Sequence, residues 1–174
     1  MSIVFITEHM GCFGNLKKRS QAPTAIVIHH TCTASPAKTR RALMKKGFST
    51  HFEVDTDGKI YQYADEMRIC SHCRGANIYT IGVDITHLSK AEFPEIQVDA
   101  VCKLVDYLCE KWKIERVVNE ERKQLLRGIF PHRALCNTAC PQNFPMERIS
   151  EHFKEKYKEK IEGLCGLGSR EAGV

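Results

Sequence analysis

Two histidines and one cysteine have the residue types and the spacing of metal ligands. His132 and Cys140 stand eight residues apart in a segment that ends at Pro141. Far upstream, His29 lies at the end of an apolar run that begins at Ala25. Two imidazoles and one thiolate are good zinc ligands, and a catalytic zinc site uses three protein ligands so that a fourth position stays open. The sequence therefore predicts a catalytic zinc site, provided that the fold brings these three residues together.

The other cysteines leave rival metal sites open. The chain has nine cysteines, an odd number, and the N-terminus has no secretory signal pattern, so free thiols and metal ligands are favoured over disulfides. Cys136 could replace Cys140 as a ligand, although the eight-residue spacing and the following proline favour Cys140. Cys70 and Cys73 form a C-x-x-C pair that could join both in a structural four-cysteine zinc site. A redox role for this pair is disfavoured, because no helix start follows it.

Hydrophobic patterning predicts the elements that must position these residues. The predicted strands are residues 24–30, 51–55, 59–63 and 79–86, the second and third forming a hairpin through Asp57-Gly58. The predicted helices are residues 36–46, capped by Ser35 and ended by Gly47, then 97–112, 120–127 and 146–162. Residues 132–140 are a predicted loop. His30 is expected on the strand face opposite His29, and Cys102 and Cys109 are expected in the core.

The fold class that follows is α/β: a single domain with a central mixed β-sheet flanked by helices. Residues 1–22 stay unassigned, residues 23–162 form the predicted domain, and residues 163–174 are a predicted flexible tail. A length of 174 residues with 43% hydrophobic content suits one domain. The net charge of +5 is mildly basic and suits a polyanionic partner, with short clusters such as 17–19 expected on the surface. No stretch is long enough to span a membrane, and we expect synthesis in the cytoplasm.

Five segments, taken in order, resemble the zinc-dependent N-acetylmuramoyl-L-alanine amidases, a fold shared by phage lysozyme-type amidases and peptidoglycan recognition proteins. They are residues 26–31, 49–58, 70–77, 81–84 and 132–141, which span most of the chain. The resemblance implies that Zn²⁺ is held by His29, His132 and Cys140. It also implies cleavage of the amide bond between N-acetylmuramic acid and the L-alanine of the stem peptide. The expected partner is peptidoglycan or muropeptides; no nucleic acid is expected, and the chain is expected to be a monomer.

The resemblance assigns further roles around the metal. Asp84 stands where many members have a glutamate, so it is predicted to be the general base, or else a carboxylate that orients a ligand histidine. His72 and Thr138 are predicted to help bind the tetrahedral state. Thr50 occupies the position of a catalytic tyrosine in other members. The predicted substrate contacts are Arg74, Asn77 and Thr50.

Two other functions stay open at this point. A peptidoglycan-binding module without catalysis is favoured by the missing tyrosine and by the shorter acid at Asp84. A structural zinc protein is favoured by the additional cysteines. The biological role also stays open among a bacteriolytic phage endolysin, an enzyme that recycles muropeptides and an effector delivered by a secretion machine. In each case we expect action on cell wall material after release or delivery.

Overall fold

The structure is a computed structural model that describes residues 5–7, 13, 16–88 and 91–167; for residues 5–7 and 159–167 only the backbone is described. The strands are β1 (Phe5–Thr7), β2 (Ala25–His30), β3 (Phe52–Val54), β4 (Ile60–Gln62), β5 (Thr80–Ile85) and β6 (Gly128–Pro131). The helices are α1 (Pro36–Lys46), α2 (Glu95–Trp112) and α3 (Met146–Leu167), and a short 3-10 helix covers His132–Ala134.

The strands form one mixed sheet in the order β1-β4-β3-β5-β2-β6. Only the β3–β4 hairpin is antiparallel, and all other neighbouring strands pair in parallel. The expected central mixed sheet is therefore confirmed. Because β5, β2 and β6 run in parallel, their carboxyl ends meet at one edge of the sheet, and chemistry in open α/β sheets is usually placed at that edge.

Alternation along the central strands divides the sheet into two different faces. The apolar face packs against α2 and α3, and its strand residues are Ile26, Ile28, Phe52, Val54, Ile81, Val83 and Ile85. The other face carries the intervening residues, which are Ala25, Val27 and His29 on β2 and Thr80, Gly82 and Asp84 on β5. Both faces are covered, so all six residues of β2 are buried. His29 thus belongs to a buried polar face that lies behind the hydrophobic core.

The predicted helices are confirmed at three of four places. The Ser35 side chain accepts a hydrogen bond from the backbone N–H of Lys38, and Gly47 ends α1 in the left-handed conformation with φ 69°. Helix α2 carries Cys102 and Cys109 into the core, where they are 3% and 1% exposed. The first helix matches its predicted bounds, whereas α2 begins two residues before the predicted start.

The predicted helix over residues 120–127 is wrong. The described backbone there is irregular, and Gly128 begins strand β6 instead of ending a helix. Gly128 has φ 96°, and a Cβ at this position would lie 2.5 Å from the carbonyl oxygen of Val117. Parallel pairing of β6 with β2 therefore decides this segment against its local helix propensity. A four-residue strand that contains both glycine and proline gave no strand pattern.

The ends of the chain also differ from expectation. Strand β1 pairs with β4, so part of the unassigned segment 1–22 belongs to the sheet. Arg19, expected on the surface, is 4% exposed, and its guanidinium donates hydrogen bonds to the carbonyl oxygens of Ile78, Arg68 and Thr80. Helix α3 continues to Leu167, beyond the predicted start of the tail at residue 163, and residues 168–174 lie outside the described part. Within the described residues, no helix is long and apolar enough to cross a membrane.

Candidate metal centre and active site

The three predicted ligands meet at the carboxyl ends of β2 and β6. His29 is the penultimate residue of β2, and His132 follows β6 directly, where Pro131 pairs with Ile28. The rings of His29 and His132 have centroids 4.4 Å apart, and Cys140 Sγ lies 4.0 Å from His29 Nδ1. One donor atom from each of the three residues lies within 4.8 Å of the other two. The fold thus produces the two-imidazole, one-sulfur arrangement that suits a tetrahedral zinc ion with one open position.

A chain of hydrogen bonds holds the His29 ring from behind. His29 Nε2 lies 3.0 Å from His72 Nδ1, His72 Nε2 lies 3.2 Å from Thr80 Oγ1, and Thr80 Oγ1 donates to the Ala76 carbonyl oxygen at 3.0 Å. Since the Thr80 hydroxyl proton goes to a carbonyl, its oxygen accepts from His72 Nε2–H. His72 Nδ1 then accepts from His29 Nε2–H. The tautomer assigned in this way leaves His29 Nδ1 unprotonated on the side of Cys140.

Gly82 makes room for the His72 ring. A Cβ at Gly82 would lie 2.7 Å from His72 Cγ and 2.9 Å from Nδ1, closer than real Cβ contacts. The Gly82 backbone N–H donates to His51 Nδ1 at 2.9 Å, which places a second buried imidazole beside the first. The glycine in the Ile-Gly-Val-Asp segment is therefore needed because an imidazole lies directly against the strand.

Burial keeps the site histidines neutral. Desolvation lowers the pKa of His29 and of His72 well below the ordinary value, and in each case a neighbouring histidine lowers the pKa further. Burial also lowers the pKa of His132. Neutral imidazoles are the form that binds a metal ion. The histidines are therefore in the protonation state of ligands throughout the neutral range.

Cys140 is placed by backbone contacts at both of its polar ends. The His30 backbone N–H donates to Cys140 Sγ at 3.2 Å, and the Cys140 N–H donates to Thr138 Oγ1 at 3.2 Å. Burial raises the pKa of the Cys140 thiol to about 12, an effect that the His30 N–H partly offsets. A bound metal cation deprotonates a coordinating thiol outright. His30 itself points to the other face and lies 2.8 Å from the His87 carbonyl oxygen, as expected of a structural residue.

Asp84 pairs in register with His29 on one side and with Glu53 on the other, so the three side chains share one face of the sheet. Burial raises the pKa of Asp84 to about 8, the nearby Glu53 carboxylate raises it further, and a hydrogen bond from Thr50 lowers it. Thr50 Oγ1 donates to Asp84 Oδ1 at 3.2 Å. Thr50 has no exposed surface, so it lies behind the carboxylate and out of reach of substrate, contrary to its predicted substrate contact.

Glu53 was not predicted as a site residue. Its carboxylate accepts hydrogen bonds from the hydroxyl of Tyr63, at 2.5 Å, and from the hydroxyl of Thr86. Burial raises the pKa of Glu53, and these hydroxyl donors lower it. Thr80 was missed as well. The period-two alternation of β3 and β5 could have indicated both residues, because it places Glu53 and Thr80 on the same face as Asp84.

A groove of about 840 Å³ runs over this centre and contains the remaining predicted residues. Arg74 is exposed on its wall, and Thr138 is exposed beside Cys140. The Asn77 side-chain oxygen accepts hydrogen bonds from the backbone N–H groups of His72 and Cys73, at 3.1 and 2.7 Å, so this residue holds the loop before β5. The roles predicted for Arg74, Asn77 and Thr138 toward substrate stay predictions.

The four-cysteine alternative is not assembled. Of the residues that the structure describes, Cys73 and Cys136 form a second three-donor group with His132, whereas Cys70 belongs to neither group. Cys140 lies in the group with His29, which leaves it with the imidazoles and not with the C-x-x-C pair.

Comparison with known proteins adds an independent line. Residues 19–143 match the sequence model of the N-acetylmuramoyl-L-alanine amidase family. A Rickettsia conorii protein, a candidate N-acetylmuramoyl-L-alanine amidase, is 25% identical over 165 residues, with 84% of this chain and 60% of the relative covered. The chain therefore spans about 60% of the length of that relative.

Solved structures of low sequence identity share the fold. The amidase LysC from Clostridium intestinale has a TM-score of 0.67 at 22% identity, covering 88% of this chain and 99% of that one. The Ph2119 endolysin from a Thermus scotoductus bacteriophage has a TM-score of 0.62 at 20% identity, covering 79% and 88%. Drosophila PGRP-LB has a TM-score of 0.58 at 18% identity, covering 83% and 94%.

Proposed function

Because the chain belongs to the N-acetylmuramoyl-L-alanine amidase family, we propose that it is a zinc-dependent hydrolase. The bond cleaved is the amide between N-acetylmuramic acid and the L-alanine of the stem peptide. The observation that carries the proposal is the convergence of His29, His132 and Cys140 at the floor of an open groove. The presence of peptidoglycan recognition proteins among the structures that share the fold supports peptidoglycan as the substrate class.

The donor set supports zinc over a hard cation. Two neutral imidazoles and a sulfur suit zinc, whereas magnesium and calcium prefer oxygen ligands. A bound zinc ion would supply an acidified water and would polarise the scissile carbonyl. His72 and Thr80 contribute by holding His29 in the tautomer that presents Nδ1. The His30 N–H contributes by stabilising negative charge on Cys140 Sγ.

Asp84 is the residue placed to move a proton. It borders the same groove as the ligand set, and its carboxylate has one hydrogen bond from Thr50. With a pKa of about 8, it lies near the range in which a group can take and return a proton at neutral pH. In the proposed reaction Asp84 accepts the proton of the attacking water and then gives it to the leaving amine.

Substrate binding is assigned to the exposed groups of the groove. The Arg74 guanidinium can pair with a carboxylate of the stem peptide. The Thr138 oxygen already accepts the Cys140 N–H, and its hydroxyl proton stays available to an oxyanion. Drosophila PGRP-LB is described in complex with tracheal cytotoxin, which supports a ligand in the corresponding groove of this fold.

The test is zinc-dependent release of stem peptide from purified peptidoglycan. Mass spectrometry should detect peptides with a new N-terminal L-alanine amine, release should stop with chelator, and added zinc should restore it. The His29→Ala protein should release nothing. Binding to peptidoglycan without release would identify a binding module, and chelator-induced unfolding without either activity would identify a structural zinc protein.

A further inference from the structure

Two thiols that take no part in the proposed ligand set contact each other beside it. Cys73 Sγ lies 3.7 Å from Cys136 Sγ, although the residues are 63 positions apart in the sequence. Cys73 is 1% exposed, on the loop before β5, and Cys136 is half-buried, on the loop between His132 and Cys140. The fold itself therefore brings these two sulfurs together, at the wall of the groove.

The spacing of the two sulfurs is that of ligands on one ion. A tetrahedral zinc ion about 2.3 Å from each of two sulfurs holds them about 3.8 Å apart, close to the observed separation. A disulfide would need them at about 2.05 Å. A ring nitrogen of His132 completes the group, and the three donor atoms lie within 4.8 Å of one another. No sulfur needs to move far for all three to reach one ion.

The surroundings favour a neutral complex of a soft cation. Cys73 packs with Ala25, Val27, Phe130 and other apolar residues. Two thiolates neutralise a divalent ion, and an apolar environment tolerates a neutral complex far better than a charged one. Sulfur and imidazole donors select zinc and similar ions over magnesium or calcium.

We propose that Cys73, Cys136 and His132 form a second site for a soft divalent metal ion, with zinc as its physiological class. Each thiol gives up its proton to solvent when the ion binds. The site shares His132 with the first set, so occupation of one set weakens the other. The consequence for catalysis rests on the proposed function: zinc above one equivalent draws His132 from the first set and inhibits cleavage.

The decisive experiment uses the full chain with Cys140→Ala, which removes the sulfur of the first set. The apoprotein is titrated with Co²⁺ under a phosphine reductant, and the thiolate-to-cobalt absorption band in the near ultraviolet is recorded. We expect the band to appear with one equivalent of Co²⁺. It should be lost in Cys73→Ala/Cys136→Ala/Cys140→Ala and kept in the matched control Cys102→Ala/Cys140→Ala, which removes a different buried thiol.

Several results would overturn the second site. They are the absence of a thiolate band in Cys140→Ala, its persistence in the triple variant, and a Cys73–Cys136 disulfide that survives the reductant. The variant Cys136→Ala/Cys140→Ala tests the same point at a half-buried position, where truncation disturbs packing least. Circular dichroism identifies any variant that fails to fold, and only folded variants are compared.

The inhibition is measured separately. Zinc added beyond one equivalent should lower the rate of stem-peptide release at least tenfold in the unmodified chain, and this inhibition should disappear in Cys73→Ala/Cys136→Ala. Equal inhibition of both proteins would overturn the coupling between the sites. If no protein releases peptide, the proposed function fails, whereas the cobalt band still decides whether the second site exists.

Discussion

The His29 Nε2 atom lies 3.0 Å from His72 Nδ1, so the imidazole that ends β2 is held by an imidazole from the loop before β5. Only the Nδ1 side of His29 then faces Cys140. Partners of this kind orient metal ligands and are worth about 10–100-fold in metal affinity or activity. The geometry makes His72 a positioning residue for His29, in addition to its predicted role toward the tetrahedral state.

Removal of this support should weaken zinc binding. We expect His72→Ala and Thr80→Val each to lower zinc affinity by about 10–100-fold, measured by competition with a chromophoric chelator. His72→Ala leaves the His29 N–H without its acceptor, and Thr80→Val leaves the His72 N–H without one. His152→Ala, on α3 beyond the apolar face of the sheet, is the control and should bind zinc normally. Normal affinity in both site variants would show that His29 does not depend on the relay.

The identity of the sulfur ligand is tested by serine substitution. Cys140→Ser should lose stoichiometric zinc at one equivalent and lose stem-peptide release, since a hydroxyl is a poor zinc ligand beside two imidazoles. Cys136→Ser should keep both. Zinc content is measured by mass spectrometry after gel filtration. An active Cys140→Ser protein together with an inactive Cys136→Ser protein would reverse the assignment.

A methyl group at Gly82 should push the His72 ring from its place. We expect Gly82→Ala to lower the free energy of unfolding by about 1–3 kcal/mol, the usual cost of overpacking, and to weaken zinc binding as well. Urea denaturation measures the first effect. In the double variant Gly82→Ala/His72→Ala the clash is absent, so the glycine substitution should then cost much less. Additive costs would show that the two side chains do not interact.

Asp84 should make the metal-free protein less stable as pH rises. Its folded-state pKa of about 8 lies above the ordinary value of 3.8, so between these values the folded chain binds more protons than the unfolded chain. The unfolding free energy therefore falls with rising pH across this window. Asp84→Asn removes the effect, and its stability relative to the unmodified chain should grow by a few kcal/mol, as an order of magnitude, from about pH 4 to about pH 8.

Denaturant titrations in chelator at several pH values measure this growth. The exposed Asp99→Asn is the matched control and should show no comparable gain. A stability difference for Asp84→Asn that is constant with pH would contradict the buried, proton-retaining carboxyl. In the zinc-loaded protein Asp84→Asn should abolish peptide release, because the amide cannot accept the proton of water.

Much of the scaffold could be predicted because its signals are local. The Ser35 and Gly47 caps of α1 and the Asp57-Gly58 turn are encoded within a few residues, and the structure confirms these elements. Strand β6 was missed because it exists only through pairing with β2, and its four residues carry no periodicity. The burial of Arg19 was missed for the same reason, since the carbonyls that it binds come from residues 49 to 61 positions away.

The site was predictable in its members and not in its contacts. His29, His132 and Cys140 were indicated by residue type and spacing, and the fold brings them together. The support of His29 by His72 and Thr80 depends on the register of β2 against β5. The contact between Cys73 and Cys136 depends on how two loops close over one face of the sheet. Register and loop closure are tertiary properties that single-sequence patterns do not encode.

The division of the sheet into an apolar face and a polar face has a consequence for how such a protein can evolve. Ile26, Ile28, Ile81 and Val83 secure the helices, whereas the alternate positions carry the chemistry. A lineage can therefore exchange a ligand, an acid or a groove residue while its core stays intact. Loss of the metal on this scaffold would leave a folded receptor, and gain of a ligand could return a receptor to catalysis.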